Sequence, residues 1–372
     1  MDMKQKLLLI ASEFPPGPGG IGHHAYSLVR ALSRNGWDIT VISPADYADA
    51  QLVRSFDDQA DFRIIRYPAT AAIKYIARLL LVYRLIRQEK FTRIFLTGKF
   101  SLWVGLFIRI FFPDAETIAI LHGSEINLQN RLLRWLTHRS IQSANSIVAV
   151  SAFTASLLPD WIRHKRVIDI IPNGIDFKLL SSLDSKRPVE LKGWPRLLTI
   201  GHLSPRKGQH RVIRALPELK KKYPEIHYHM VGRPINRAEL ETLAYELGVT
   251  RHVSFHGVVA AHEDLASWYR AADIFMLLSE NQPNGDVEGF GIVALEANVF
   301  GMPVIGAKYC GVEDAVDVAK SGFLVDGDDP MEITTAVEAC IASMDELKKE
   351  SVEWAKKHDW KLIVQDYKSY LG

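Results

Sequence analysis

The feature that most constrains this 372-residue chain is a rhythm of short apolar runs rich in β-branched residues, each followed by a helix-length stretch, with the whole series begun twice. Before residue 175 the runs are KLLLIAS, WDITVIS, DFRIIRY, RIFLTG, TIAILHG, NSIVAVS and VIDIIPNG; after it come RLLTIGHL, IHYHMVG, HVSFHG, DIFMLLS, MPVIGA and GFLV. A strand exposed on one face would alternate apolar and polar residues, so continuous apolar runs predict parallel strands covered on both faces. Gln209 to Tyr223 and Arg237 to Leu247 carry the helical periodicity between them. The reading is α/β, with two doubly wound domains facing a cleft lined by the C-terminal ends of their strands. Periodicity lapses from Phe177 to Pro195, which predicts an N-terminal domain over 1–177, a linker over 178–195 and a C-terminal domain over 196–355.

Cysteine usage and charge narrow the function. Only Cys310 and Cys340 occur, too few for a disulfide framework or a Cys/His zinc cage. The start of the chain reaches Glu13 too soon for a secretory leader, and FSLWVGLFIRIFF at 100–112 contains Arg109 and falls short of the ~20 residues of a membrane span, so a cytoplasmic protein is expected. Residues 63–139 carry 13 basic and four acidic side chains, a bias that calls for an anionic membrane surface or an acidic substrate. No nucleic-acid module accompanies it, so no nucleic-acid partner is expected.

Three loops at strand ends have the composition of ligand sites. Gly17-Pro-Gly-Gly-Ile-Gly22 formally satisfies G-x-G-x-x-G, yet Glu13-Phe-Pro-Pro separates it from its strand and Asp38 opens the next strand, which argues against a nicotinamide fold. Gly19, Gly20, Ile21 and His23 still bring backbone N–H groups at a helix start close to an anion or sugar, or form a tight turn with no ligand. Gly201-His-Leu-Ser-Pro-Arg206-Lys207-Gly208 places two cations at a strand end, suited to a diphosphate. Asp286-Val-Glu288-Gly289-Phe290-Gly291-Ile292 leads into a helix whose first free N–H groups can hold phosphate oxygens, with Glu288 ahead of it and Glu296 about two turns inside. Two carboxylates beside a phosphate site fit the hydroxyls of a nucleotide-sugar.

Taken together these loops resemble the retaining glycosyltransferases of family 4, which have the GT-B fold of two Rossmann-like domains. The resemblance runs through the GGIG loop, His122-Gly123, Pro172-Asn-Gly-Ile-Asp176, the PRKG of 205–208, Val231-Gly232, the E-x7-E of Glu288 and Glu296, and Gly301-Met-Pro-Val304. It implies catalytic roles for Glu288, Lys207, Arg206 and His122, and donor binding by Glu296, Gly289, Phe290, Gly291, Ile292, Gly20 and Gly232. Gly19, Ile21 and His23 fall on the acceptor side, in an N-terminal domain to which a last helix, 356–372, returns. The implied chemistry is retaining transfer of a hexose, without metal or other cofactor, from a nucleoside-diphosphate sugar to a glycan or lipid-linked acceptor. The DVEG and PRKGQ wording points to GDP-mannose rather than a UDP-sugar. Two positions depart from the pattern: His202 stands where many members carry Arg, and Cys310-Gly311 replaces a Gly-Gly, leaving that backbone less free.

Competing readings remain at this level. A catalytically silent sugar-nucleotide-binding subunit of a glycan assembly complex would share the fold, though it would not need Glu288, Glu296, Arg206 and Lys207 all intact. Asp326-Gly-Asp328 is formally D-x-D but reads as a turn, and His23-His24 lacks the acidic partners of a metal site. The stretch from Lys74 to Arg87, with Arg78 and Arg84 and then Arg131, Arg134 and Arg139, reads either as a peripheral membrane face on the inner leaflet or as a core helix with solvated cations.

Overall fold

The computed structural model describes residues 6–371 apart from Pro18, 46–48, 68–73, Thr92, 185–187 and 260–261. Residues 1–5, Pro18 of the glycine loop, 185–187 of the expected linker and Gly372 therefore lie outside the described residues. The chain divides into two compact units, Met1–Gly174 with Trp360–Gly372, and Ile175–Asp359.

In the first unit seven parallel strands follow the seven apolar runs: β1 (Lys6–Ala11), β2 (Asp38–Pro44), β3 (Arg63–Tyr67), β4 (Arg93–Thr97), β5 (Glu116–Leu121), β6 (Ser146–Ala149) and β7 (Asp169–Ile170). Their order is β3-β2-β1-β4-β5-β6-β7. The helices are α1 (Gly20–Arg34), α2 (Ala50–Asp58), α3 (Lys74–Glu89), α4 (Lys99–Phe111), α5 (Arg131–Ser143), α6 (Ala152–Ser156) and α7 (Asp160–Arg163). Leu7, Leu8, Leu9 and Ile10 of β1 are all fully buried, as a central strand covered on both faces requires. One face packs Leu8, Ile10 and Ile94 against Val82, Leu85 and Ile86 of α3 and Leu102 and Ile108 of α4. At about 1.5–3 kcal/mol for each fully buried large aliphatic side chain, this burial is the main stabilising contribution.

Among the described residues the second unit has six parallel strands, β8 (Arg196–Ile200), β9 (His227–Val231), β10 (Val253–Phe255), β11 (Ile274–Leu277), β12 (Val304–Ala307) and β13 (Gly322–Val325), ordered β10-β9-β8-β11-β12-β13. Its helices are α8 (Phe177–Ser181), α9 (Gln209–Lys222), α10 (Arg237–Glu246), α11 (His262–Ala271), α12 (Ile292–Val299), α13 (Pro330–Ala342) and α14 (Met344–Lys357). The stretch 178–195 lies within this unit and contributes α8, capped by the Asp176 carboxylate on Leu179 N–H at 3.1 Å. The last helix, α15 (Trp360–Lys368), belongs to the first unit and packs on α1, its Trp360 ring 5.4 Å from His24.

Each sheet reverses its winding once, between β1 and β4 in the first unit and between β8 and β11 in the second. In open α/β sheets ligands bind beyond the carboxyl ends of the strands at such switch points.

Candidate active site

At the switch point of the second unit the chain leaves β8 through Gly201 and His202 into a 3-10 turn, Pro205–Lys207. The Arg206 carbonyl accepts from Glu280 N–H at 2.8 Å, which fastens the turn to the end of β11. Gln209, buried at the start of α9, donates to the His202 carbonyl at 3.0 Å. These bonds aim two cations at one acid: Arg206 Nη1 donates to Glu288 Oε2 at 2.5 Å and Lys207 Nζ donates to the same oxygen at 2.7 Å. Arg206 Nε also reaches Asp286 Oδ2 at 3.1 Å. Burial alone would raise the Glu288 carboxyl, but Lys207 and Arg206 outweigh it and hold the group below its ordinary value. Glu288 is thus an ionised carboxylate with two charge-assisted partners.

The loop after Glu288 brings backbone to the same place. Gly291 adopts φ 85°, a left-handed conformation open to glycine, and caps α12. The helix therefore starts at Ile292, and Glu296 stands one turn inside it rather than two. Tyr269 donates its hydroxyl to Glu296 Oε2 at 2.9 Å and so orients that carboxylate; burial, then the Glu296 charge, drives the phenol well above its ordinary value. Gly311 donates its N–H to the Glu288 carbonyl at 2.9 Å, and a Cβ there would collide with the Gly289 carbonyl. Cys310 has φ −150°, extended backbone that any residue adopts, so its substitution for glycine costs no freedom there. The close approach that excludes a side chain belongs to Gly311.

Beside these groups a cavity of about 210 Å³ opens among Gly201, His202, Gly232, Arg233, Val258 and Leu265. The stem of Lys207 runs along Gly201, so the cavity and the charge cluster adjoin. Partial desolvation, then the Arg233, Lys207 and Arg206 charges, lowers the His202 pKa. The D-x-D stretch is a turn: Asp328 N–H donates to Asp326 Oδ1 at 3.0 Å and Arg211 holds Asp328 Oδ2 at 2.8 Å. Among the described residues no group of three His, Cys, Asp or Glu side chains is arranged to hold a metal ion.

In the first unit Gly19 caps α1 with Gly20, Ile21 and His23 in its first turn, and the Glu13 carboxylate lies where a Gly19 side chain would stand. Gly19, Gly20 and His23 are exposed. His122, at the end of β5, is buried, with its Nε2 2.9 Å from Thr97 Oγ1 and its ring 4.9 Å from His24. Burial drives its pKa down to about 3, so the imidazole is neutral. Its backbone N–H donates to Glu125 Oε1 at 2.5 Å. The structure corrects one expectation: Arg78 is no surface cation but 3% exposed, donating to the Ala11 carbonyl at 3.1 Å and to Ser101 Oγ at 2.9 Å. Its guanidinium stacks over the Tyr67 and Phe100 rings at 4.4 and 4.3 Å.

Residues 18–179 match Glycosyltransferase Family 4 and residues 183–358 match Glycosyl transferases group 1. The chain belongs to this glycosyltransferase family, with the GT-B fold. The glycosyltransferase is 29% identical over 350 residues, 89% of its length and 88% of the relative's, to the GDP-mannose-dependent alpha-(1-6)-phosphatidylinositol monomannoside mannosyltransferase of Mycolicibacterium smegmatis. It is 34% identical over 244 residues, 60% of its length and 52% of the relative's, to the D-inositol 3-phosphate glycosyltransferase of Corynebacterium kroppenstedtii. In fold it is similar to Anabaena HepE in complex with UDP, with a TM-score of 0.77 at 19% identity over 99% of both chains. Sucrose-phosphate synthase from Thermosynechococcus elongatus gives 0.78 at 21%, over 99% of this chain and 98% of that one.

Of the glycosyltransferase residues singled out by sequence, the structure brings together Arg206, Lys207, Glu288 and the Gly289–Ile292 loop, and it sets Gly232 on the adjoining cavity. Tyr269, Arg233, Val258, Leu265, Glu13 and Glu125 were missed. Tyr269 and Leu265 sit on α11 and carry no local motif, and only the folded sheet places them at the site. Glu125 stands three residues after His122 in HGSE, a spacing that signals a side chain turned back onto the preceding backbone.

Proposed function

We propose that this glycosyltransferase is a retaining, metal-independent hexosyltransferase that moves mannose from GDP-mannose to a lipid-linked or glycan acceptor. The observation that carries the reading is the convergence of Arg206 and Lys207 on Glu288 Oε2 at the amino end of α12. Two cations held by one internal acid are poised to exchange that counter-ion for a diphosphate, which also gains backbone N–H groups at the amino end of α12. Glu296, oriented by Tyr269, takes the ribose hydroxyls, and the cavity beside Gly232 receives the base. The second unit holds the donor and the first the acceptor.

Retention follows if the bond from the anomeric carbon to the diphosphate breaks while the acceptor oxygen bonds to the same face, the departing diphosphate oxygen taking the acceptor's proton. Arg206 and Lys207 stabilise the charge that develops on that diphosphate, and Glu288 orients the sugar. The charge a metal would otherwise supply comes from these side chains, so transfer persists in EDTA. Mannose and an inositol-lipid acceptor are favoured by the mannosyltransferase named above. NMR of the product's anomeric centre tests the mechanism: retained configuration supports it, and an inverted linkage overturns it.

The same reading places the enzyme on the inner membrane face. No helix among the described residues is long and apolar enough to cross a membrane. On α5, Leu132 is 70% and Trp135 54% exposed beside Arg131 and Arg134, with Arg139 over the Trp135 and Trp161 rings at 5.7 and 5.2 Å. Amphipathic aromatics ringed by cations suit an anionic leaflet, where each cation adds about 1 kcal/mol. Sedimentation with anionic vesicles at low salt should recover the protein and that with neutral vesicles should not; equal recovery on both contradicts this placement.

A further inference from the structure

The first unit holds a second buried carboxyl that the mechanism leaves unused. Glu125 is fully buried at the turn that follows β5. One oxygen, Oε1, accepts the His122 N–H at 2.5 Å, while Oε2 has no hydrogen-bond partner among the described residues. The turn is closed beneath it by Ile126 N–H on the Gly123 carbonyl at 2.9 Å. The charged and titratable groups that face it are Lys99 at the start of α4, Glu13 after β1 and, in its own turn, the neutral imidazole of His122, which packs on the neutral His24 of α1. Lys99 is exposed and opposed by Glu13, so the carboxyl lacks the close cation that would balance a buried charge. An ionised carboxylate here would be desolvated with one oxygen unsatisfied, a strongly disfavoured state.

We propose that Glu125 is a positioning residue that carries a proton during turnover, and that as a neutral acid it fixes the His122-Gly123 turn so that transfer proceeds, whereas losing the proton loosens the turn. The inference rests on the reading that this turn belongs to the active site. Burial, the dominant cause, pushes the Glu125 carboxyl up to about 7, with the backbone N–H groups of His122 and Glu125 and the Lys99 charge pulling down and Glu13 pushing up. The folded state therefore keeps the proton between the ordinary carboxylate range and about 7, so stability declines as pH rises through that window and turnover declines above about 7.

The test is the pH dependence of kcat and of Tm for the parent, Glu125→Gln, Glu125→Ala and Glu13→Gln. Glutamine keeps an oxygen to accept the His122 N–H and cannot ionise. Above about pH 7 the parent should lose kcat by about tenfold per unit, Glu13→Gln should show the same fall beginning at lower pH because the charge that pushes Glu125 up is gone, and Glu125→Gln should stay level. Glu125→Ala should be slow at every pH, with GDP affinity unchanged in all four because the nucleotide binds the other unit. The Tm advantage of Glu125→Gln over the parent should grow between about pH 5 and pH 8 and then hold. An alkaline limb that survives in Glu125→Gln, or Tm curves that run parallel, would overturn the proposal. The Tm readout does not need transfer, so an absence of measurable transfer with intact Tm behaviour would indict the donor and acceptor reading instead. If Glu125→Ala does not fold, the glutamine variant decides alone.

Discussion

At the switch point of the second sheet two cations, Arg206 and Lys207, close on one buried carboxylate, Glu288; at that of the first, two carboxyl groups, Glu13 and Glu125, share the field of one exposed cation, Lys99. The folds around the two places are alike, with parallel strands, a glycine at the strand end and a helix start. The protonation states are opposite. Glu288 and Glu125 are both desolvated, but contact with two cations keeps the first ionised, while the second has a single oxygen bonded to backbone N–H groups and is driven toward the acid form. Burial therefore does not decide what a carboxyl does, and the charge of its nearest partners does. The first arrangement suits an anionic donor, and the second suits an uncharged hydroxyl-bearing group.

The largest expected effects come from breaking the Lys207–Glu288 pair that distinguishes the second unit's site. Lys207→Ala and Glu288→Ala should each lower kcat by roughly 10²-fold or more, since each takes away about 3 kcal/mol of transition-state stabilisation. Steady-state rates at saturating donor check this, and a fall of less than about fivefold would place the developing charge elsewhere.

The comparison also explains what was legible in the sequence. All thirteen strands among the described residues follow apolar runs, because buried parallel strands need unbroken apolar composition, which is a local property. The charge cluster of the second unit was legible because PRKG and the E-x7-E each compress a strand end and a helix start into a few residues. The groups of the first unit were not. Glu13, Lys99 and Glu125 follow three different strands, two on loops and Lys99 at the start of α4, and only the order β1-β4-β5 makes them neighbours. Arg78 misled for the same reason, since a cation on an amphipathic helix looks solvated until Ala11, Ser101 and two aromatic rings close around it.

A smaller effect should follow from the backbone contact that shapes the donor loop. Gly311→Ala drives a methyl into the Gly289 carbonyl and should destabilise the protein by about 1–3 kcal/mol while weakening GDP binding. Cys310→Gly, at an extended position, should leave GDP binding unchanged, and thermal melts with and without GDP distinguish the two. Equal melts for both variants would mean that the loop yields.

The smallest effect concerns acid stability in the second unit alone. His227 and His229 stack at 4.6 Å, and His229 Nδ1 lies 3.0 Å from His256 Nε2. Burial, with their mutual repulsion, holds His227 and His256 down at about 4. Groups with lowered histidine pKa values are stabilising when neutral, so stability should fall as pH drops from about 6.5 toward 4. A His256→Asn variant should flatten that fall in a Tm-against-pH series, and an unchanged slope would remove the stack as its source.

The central claim, that the charge-paired site of the second unit holds the nucleoside diphosphate, is tested most directly by calorimetric titration of GDP into the parent, Lys207→Ala, Glu296→Ala and Glu125→Gln. The account predicts binding to the parent, at least about tenfold weaker binding for Lys207→Ala and Glu296→Ala, equivalent to about 1.4 kcal/mol, and parental affinity for Glu125→Gln. Equal GDP affinity in all four proteins would contradict it.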